Sequence, residues 1–282
     1  MFKRIAIIPR TDKSEALDLA NRLVEYLRPL GRETFFDADV ARLLRRQDLG
    51  IDLGQDPVDL AITIGGDGTI LRASSMLKRP ETPILAVNMG MRGFLTEVTP
   101  EHAVSALDRV FAEDYMLETC TKISSQATSG ARFNDALNEV LVASSLPSKM
   151  IGIEFYVNHE QVFDFRGDGI IIATATGSTA YSLSAGGSIL SPEVDDIIIT
   201  AVCPLSPFRS MVVPQDSIVE VAVLEGETDA VVAVDGLVQK TVSPQERVVA
   251  RKSVHVANFV RFHSFPARLK NRLLYAYRGK NG

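Results

Sequence analysis

Cysteine is scarce: Cys120 and Cys203 are the only two in 282 residues, too far apart for a C-x-x-C pair. That excludes a disulfide scaffold and makes a reduced, cytoplasmic setting the expectation. No apolar run approaches the roughly 20 residues of a membrane helix. The opening Met1-Phe2-Lys3-Arg4-Ile5-Ala6-Ile7-Ile8 is too short in apolar residues for a signal peptide. Positive charge is not in excess, since 30 Lys and Arg stand against 35 Asp and Glu. This argues against a general nucleic-acid binder. The four histidines, His102, His159, His255 and His263, have no metal-ligand spacing with each other or with cysteine. No protein-held metal cluster is expected. The P-loop pattern G-x-x-x-x-G-K-[ST], the G-x-G-x-x-G turn and the G-x-S-x-G elbow are all missing.

What remains is an ordinary globular composition, 46% apolar and 23% charged. A chain of this length exceeds the usual size of one core, so two domains are expected. Through about residue 116, short apolar runs alternate with amphipathic stretches. Arg4 to Pro9, Thr34 to Phe36, Val58 to Ile64 and Pro83 to Val87 read as strands. Ser14 to Arg28 and Glu101 to Phe111 read as helices, capped by Ser14 and Thr99. Alternation of this kind implies a parallel sheet with covering helices, an α/β domain over 1–116. From 117 to 260 the segments are short, rich in Val and Ile, and separated by Ser, Gly, Asp and Pro: 138–143, 151–158, 169–173, 197–202, 217–223, 230–234 and 247–256. That is the pattern of an all-β domain. The remaining segment, 261–282, is helical in pattern and basic, and is able to return to the first domain.

Three segments carry chemistry. Ile64-Gly65-Gly66-Asp67-Gly68-Thr69 follows the strongest strand and precedes the helical run Ile70 to Leu77. Glycines let the backbone approach a ligand, and successive N–H groups at a helix start cradle an anion. Gly65, Gly66, Gly68 and Thr69 are therefore candidate phosphate contacts. Asp67 either caps the helix or has a chemical task. Bound phosphates would raise its pKa and make it a better acceptor of a hydroxyl proton, or it would hold a divalent cation that bridges them. The second segment runs from Arg166-Gly167-Asp168-Gly169 through Thr174-Ala175-Thr176-Gly177-Ser178-Thr179-Ala180-Tyr181-Ser182-Leu183-Ser184 to Gly187. Its dense small hydroxyls suit a polar ligand with ribose and amide groups, or else a polar strand connection. The third is Asn138-Glu139 within an apolar strand, where one of two adjacent polar residues must face the apolar side.

Together, in this order and spacing, these segments resemble the NAD kinase family. Asn88-Met89-Gly90-Met91-Arg92-Gly93-Phe94-Leu95 is similar to its N-x-G-x-x-G-F-L turn, and Val234-Asp235-Gly236 to a later D-G. The resemblance spans residues 4 to 240. It implies a Rossmann-like α/β domain, a β-sandwich-like domain and an active site in the cleft between them. It implies an enzyme that phosphorylates the adenosine ribose 2′-hydroxyl of NAD to NADP, with ATP or polyphosphate as donor and Mg²⁺ or another divalent metal. Asp67 matches the proposed general base. Gly68, Asn138, Glu139, Arg166, Asp168, Thr176, Thr179, Ala180, Tyr181, Ser182, Leu183 and Ser184 match positions that contact the dinucleotide. Lys149 either reaches its phosphates or is solvated. The resemblance also implies homo-oligomers, a homodimer or homotetramer in which neighbours complete the NAD site, with no nucleic-acid or membrane partner. Ala175 replaces a usual proline, Arg92 a usual apolar residue, and Leu237 a common glutamine. Cys203-Pro204-Leu205-Ser206-Pro207-Phe208-Arg209 lacks a usual histidine. The alternatives are a lipid or sugar kinase of the same superfamily and a non-catalytic NAD(P)-binding regulator.

Overall fold

The computed structural model describes residues 2–90, 93–224, 226–244 and 246–278, with side chains as far as Arg272. The singled-out Arg92 lies outside the described residues. The chain divides into two compact units, one made of residues 1–119 with 257–282 and the other of 120–256.

The first unit comprises β1 (Arg4–Pro9), α1 (Ser14–Leu27), β2 (Glu33–Asp37), α2 (Ala38–Leu43), β3 (Gly50–Ile51), β4 (Leu60–Gly65), α3 (Asp67–Met76), β5 (Pro83–Asn88) and α4 (Ala103–Phe111). Every residue of β4 is buried, as a strand of a parallel sheet covered on both faces requires. On α1, Ala16, Leu19, Ala20, Leu23, Val24 and Leu27 form one buried face, which is why their helical spacing was readable. The strands pair in the order β3-β2-β1-β4-β5, all parallel. The chain builds outward from β1 on one side, then returns to build outward through β4 on the other. In such sheets ligands bind beyond the carboxyl ends of the strands at the reversal, here those of β1 and β4.

The second unit holds β6 (Met116–Ala127) from Cys120 onward, β7 (Glu139–Ser144), β8 (Ile151–Val157), β9 (Glu160–Gly167), β10 (Gly169–Ala173), α5 (Tyr181–Ser184), β11 (Ile197–Val202), β12 (Ser210–Val213), β13 (Val219–Val223), β14 (Ala230–Val234), β15 (Leu237–Val242) and most of β16 (Arg247–Arg261). One antiparallel sheet runs β16-β13-β8-β9 and another β12-β11-β10-β7-β14-β15. Ile151, Ile153, Phe155 and Val221 from the first meet Val140, Val142, Ile170, Ile172 and Val232 from the second in a shared core. β10 is apolar throughout because Ile171 and Ala173 enter a different cluster, with Ile198 and Val202. From Ala257 the chain belongs to the first unit again. Asn258 and Phe259 of β16 add a parallel strand beside β5, and α6 (Phe265–Arg278) follows.

Several expected details differ. Ser14 opens α1 without capping it, since the cap position is Lys13 and the Ser14 hydroxyl donates to Glu15. Thr99 precedes a short 3₁₀ turn and makes no capping bond. β9 and β15 alternate weakly and leave half or more of their residues exposed, so neither gave a sequence signal. Phe155 is fully buried in the shared core. Phe155→Ala is expected to cost about 3–5 kcal/mol of stability, read by chemical denaturation.

Candidate active site

β4 ends at Gly65 and α3 begins two residues later, so the glycines form a tight strand-to-helix corner. Gly65 is required by crowding, because a Cβ there would lie 2.1 Å from the Thr69 hydroxyl. None of Gly65, Gly66 and Gly68 has a positive φ, so the corner uses its glycines for close approach and not for a left-handed turn. The start of α3 borders a pocket of about 370 Å³, with the N–H of Thr69 turned back to Gly66 O at 3.0 Å and those of Asp67 and Gly68 left as helix-start donors. Arg10, Thr11 and Asp12 line it from just past β1, and Gly66, Gly68, Thr69 and Arg72 from α3. Arg10 Nε donates to Asp12 at 2.7 Å, and Arg72 pairs with buried Asp37 at 3.3 Å. Helix N–H groups and two guanidiniums make this a site for a polyanion at the sheet's reversal point. Arg10, Asp12 and Arg72 carried no motif and were missed from sequence.

Asp67 does not cap its helix. Its Oδ2 accepts the N–H of Phe94 at 3.0 Å, and its Oδ1 accepts that of Leu95 at 3.2 Å. Gly93 packs so closely that a Cβ there would sit 1.8 Å from Asp67 Oδ1. Burial pushes the carboxyl above the ordinary aspartate range, outweighing those two N–H bonds and the nearby charges of Arg272 and Arg261. The cause is desolvation, so the shift exists without any phosphate. Each oxygen keeps a lone pair for a further donor.

In the second unit, Asn138 and Glu139 are both buried, at 7% and 6% exposure. Their backbone is clasped by Asp235, whose φ is 49°. Its Oδ2 accepts the Leu137 N–H at 2.9 Å, and its Oδ1 those of Asn138 and Glu139 at 2.8 and 3.2 Å. Burial, then the charge of Asp235, raises the Glu139 carboxyl to about 7. Glu139 Oε2 is buried without a hydrogen-bond partner among the described residues. Buried Lys122 acts on Asp235 from nearby; sequence reasoning overlooked it because a lysine in a strand reads as solvated.

The hydroxyl-rich segment docks on this pair. Thr174 Oγ1 donates to Leu137 O at 2.6 Å and accepts the Gly177 N–H at 3.0 Å. At Gly177 a Cβ would lie 2.0 Å from Asn138 O. Ser178 donates to the carbonyl of Ala175, which holds the turn without a proline. Thr179 donates to Thr176 O, and fully buried Ser182 pairs with Thr200 at 2.8 Å. These hydroxyls are spent on the loop itself. Thr176, Ala180 and Leu183 are half-buried, and Tyr181 and Ser184 are exposed.

Asp168 stands just before β10, at the opposite end from this segment, about 20 Å from Thr174 by strand rise. It is half-buried, and its carboxylate against the exposed Cys203 thiol raises the pKa of that thiol. Arg166 is exposed and paired with Glu227, and Lys149 is exposed in the β7–β8 turn.

Glu139 gives a signed prediction. The folded carboxyl titrates near 7 against an ordinary 4.5, so the folded form keeps a proton that the unfolded chain has released. Stability is unpenalised below about pH 4.5 and falls as pH rises toward 7, by at most about 3 kcal/mol. Without ligand, Glu139→Gln should melt with wild type at pH 4.5 and above it at pH 8, in paired thermal scans.

Comparison with known proteins bears on the family and the fold. The ATP-NAD kinase N-terminal domain model matches residues 5–115, and the ATP-NAD kinase C-terminal domain model matches 137–262. The chain is 39% identical over 274 residues to the NAD kinase of Methanothermobacter thermautotrophicus, covering 96% of each chain. The crystal structure of an NAD kinase from Archaeoglobus fulgidus in complex with ATP superposes with a TM-score of 0.77 at 28% identity, over 96% of this chain and 98% of that one. Yeast NADH kinase complexed with NADH superposes with a TM-score of 0.87, over 100% of this chain and 88% of that one. Its 24% identity speaks to fold alone. With both domain models matched and a relative this similar along nearly its whole length, the chain belongs to the NAD kinase family.

Proposed function

We propose that this chain transfers a phosphoryl group from ATP, or from polyphosphate, to the adenosine ribose 2′-hydroxyl of NAD, giving NADP. The observation that carries the proposal is Asp67, a desolvated carboxylate fixed by two backbone N–H groups, next in the chain to the anion pocket of Gly66, Gly68 and Thr69. The pocket holds the donor's phosphates through the α3 amides, Arg10 and Arg72. Asp67, with its pKa raised, takes the proton of the attacking hydroxyl; a carboxylate with a higher pKa is the better base near neutral pH. Transfer otherwise rests on positioning and charge stabilisation, which preformed amides supply without reorganisation.

The second unit supplies the dinucleotide contacts: Asn138, Glu139, Thr176, Thr179, Ala180, Tyr181, Leu183 and Ser184 for one nucleoside, with Ser182 and Gly177 holding the loop from behind. Asp168 and Arg166 serve the other end, and exposed Lys149 reaches for the dinucleotide's phosphates. The length of β10 between Ala173 and Asp168 suits an extended two-nucleoside ligand. Protonated Glu139 adds a donor for a ribose oxygen.

Among the described residues no group of three or more His, Cys, Asp or Glu is arranged to hold a metal. A magnesium ion carried by the donor needs only one or two carboxylates besides the phosphates. Asp12, the carboxylate lining the donor pocket, would hold it there. Bound, it draws negative charge off the phosphoryl oxygens. Among the described residues no helix is long and apolar enough to cross a membrane. A cytoplasmic homodimer or homotetramer completes the reading, supported by the family resemblance.

Purified protein incubated with NAD, Mg²⁺ and ATP, and separately with polyphosphate, should form NADP. Asp67→Asn should lower kcat about 10²- to 10⁴-fold with KM for NAD near wild type. Wild-type turnover should fall as pH drops through the elevated pKa of Asp67. NADP formation by Asp67→Asn at the wild-type rate would remove Asp67 from the mechanism.

A further inference from the structure

We propose that a second cavity of the first unit binds a small di- or tri-anion bearing phosphate or carboxylate groups. The cavity measures about 410 Å³ and is lined by α4, the segment after β5, the end of β16 and α6. That volume falls within the range of small-molecule sites. None of the donor-pocket residues contributes to its lining.

The lining gathers Arg109, Arg268, Arg272, His102 and His263 in a chain whose net charge is −5. The acid among the lining residues, Glu97, is already satisfied. Its side chain is fully buried, its Oε1 accepts the N–H groups of Phe262 and His263 at 2.7 and 3.0 Å, and its Oε2 faces Arg261 at 3.4 Å. Two guanidiniums lie over aromatic rings, Arg109 at 4.3 Å from the Phe262 centroid and Arg272 at 5.1 Å from that of Phe94. Arg109 Nε is held by Asp114 at 2.7 Å, which leaves its terminal N–H groups, with those of Arg272, to grip an anion.

Two of the lining residues also carry a buried polar atom without a hydrogen-bond partner among the described residues, Arg268 Nε, a donor, and Asn88 Oδ1, an acceptor. Buried polar atoms are rarely left so, because desolvation without a bond costs free energy. Both atoms are closed to water as the lining stands, so a bound anion reaches them only where the lining shifts. The two other guanidinium nitrogens of Arg268 are taken by His263 O and Glu118, which fixes its orientation.

The test is amide hydrogen exchange on the full chain without nucleotide, with pyrophosphate and citrate as separate probes. At millimolar probe, exchange should slow across 96–109 and 262–272. Pyrophosphate alone acting identifies a phosphate ligand, citrate alone a carboxylate ligand, and both the shared chemistry. Arg109→Gln combined with Arg272→Gln should raise the half-saturating concentration at least roughly tenfold. Ser105→Trp, which fills the cavity from exposed α4, should abolish the effect even if the double variant folds poorly. Protection confined to 10–12 and 66–72, protection unchanged in the variants, or none with either probe overturns the proposal. Turnover does not enter this readout, so the result stands apart from the kinase reading.

Discussion

Taking a carboxylate out of water is costly unless hydrogen-bond donors meet it, and both units solve that problem with peptide N–H groups. Asp67 rests on the amides of Phe94 and Leu95, and Asp235 on those of Leu137, Asn138 and Glu139. In each case burial still wins, and the carboxyl titrates above its ordinary range. Amides hold an acid in place without the full neutralisation that a paired arginine would bring. Arg261, by contrast, sits between Glu97 and Glu118, and Glu118 there is pulled below the ordinary range. The difference separates an acid available for proton traffic from one used as an anchor.

The same division runs through the hydroxyl-rich segment. Ser178, Thr179 and Ser182 spend their hydroxyls on the loop and on Thr200, so fewer hydroxyls of the segment are left for outside partners than its composition suggests. Gly177 packs against Asn138 O, which ties two sequence-distant motifs into one local structure. A rigid contact of this kind positions the Asn138-Glu139 backbone from one side while Asp235 positions it from the other.

Much of this was legible in the sequence where periodicity or local crowding leaves a mark. The buried face of α1, the apolar runs of β4 and β10, and the glycine corner before α3 follow from spacing and residue type. The partners of Asp67 were not legible. The residues that meet it are 27 and 28 positions later, and they act through backbone N–H groups that any non-proline residue supplies. Arg10 and Arg72 read as surface cations because only the strand order brings the end of β1 beside the start of α3. Lys122 ran against the rule that charges stay outside, and the Asn138-Glu139 pair, of which one member was expected inside, has both buried. Half-exposed β9 and β15 lacked the alternation by which strands announce themselves.

Gly93 and Asp67 are joined in a way that reaches beyond a single molecule. Any side chain at 93 collides with the acid, since even a methyl would overlap Oδ1. While the acid is retained, the neighbouring position has no substitution open to it. A descendant that abandoned the chemistry and shortened residue 67 would release both sites together. Across diverging lineages the two should therefore drift as a couple, and a bulky residue at 93 would mark a chain whose residue 67 no longer holds a carboxylate in this pose.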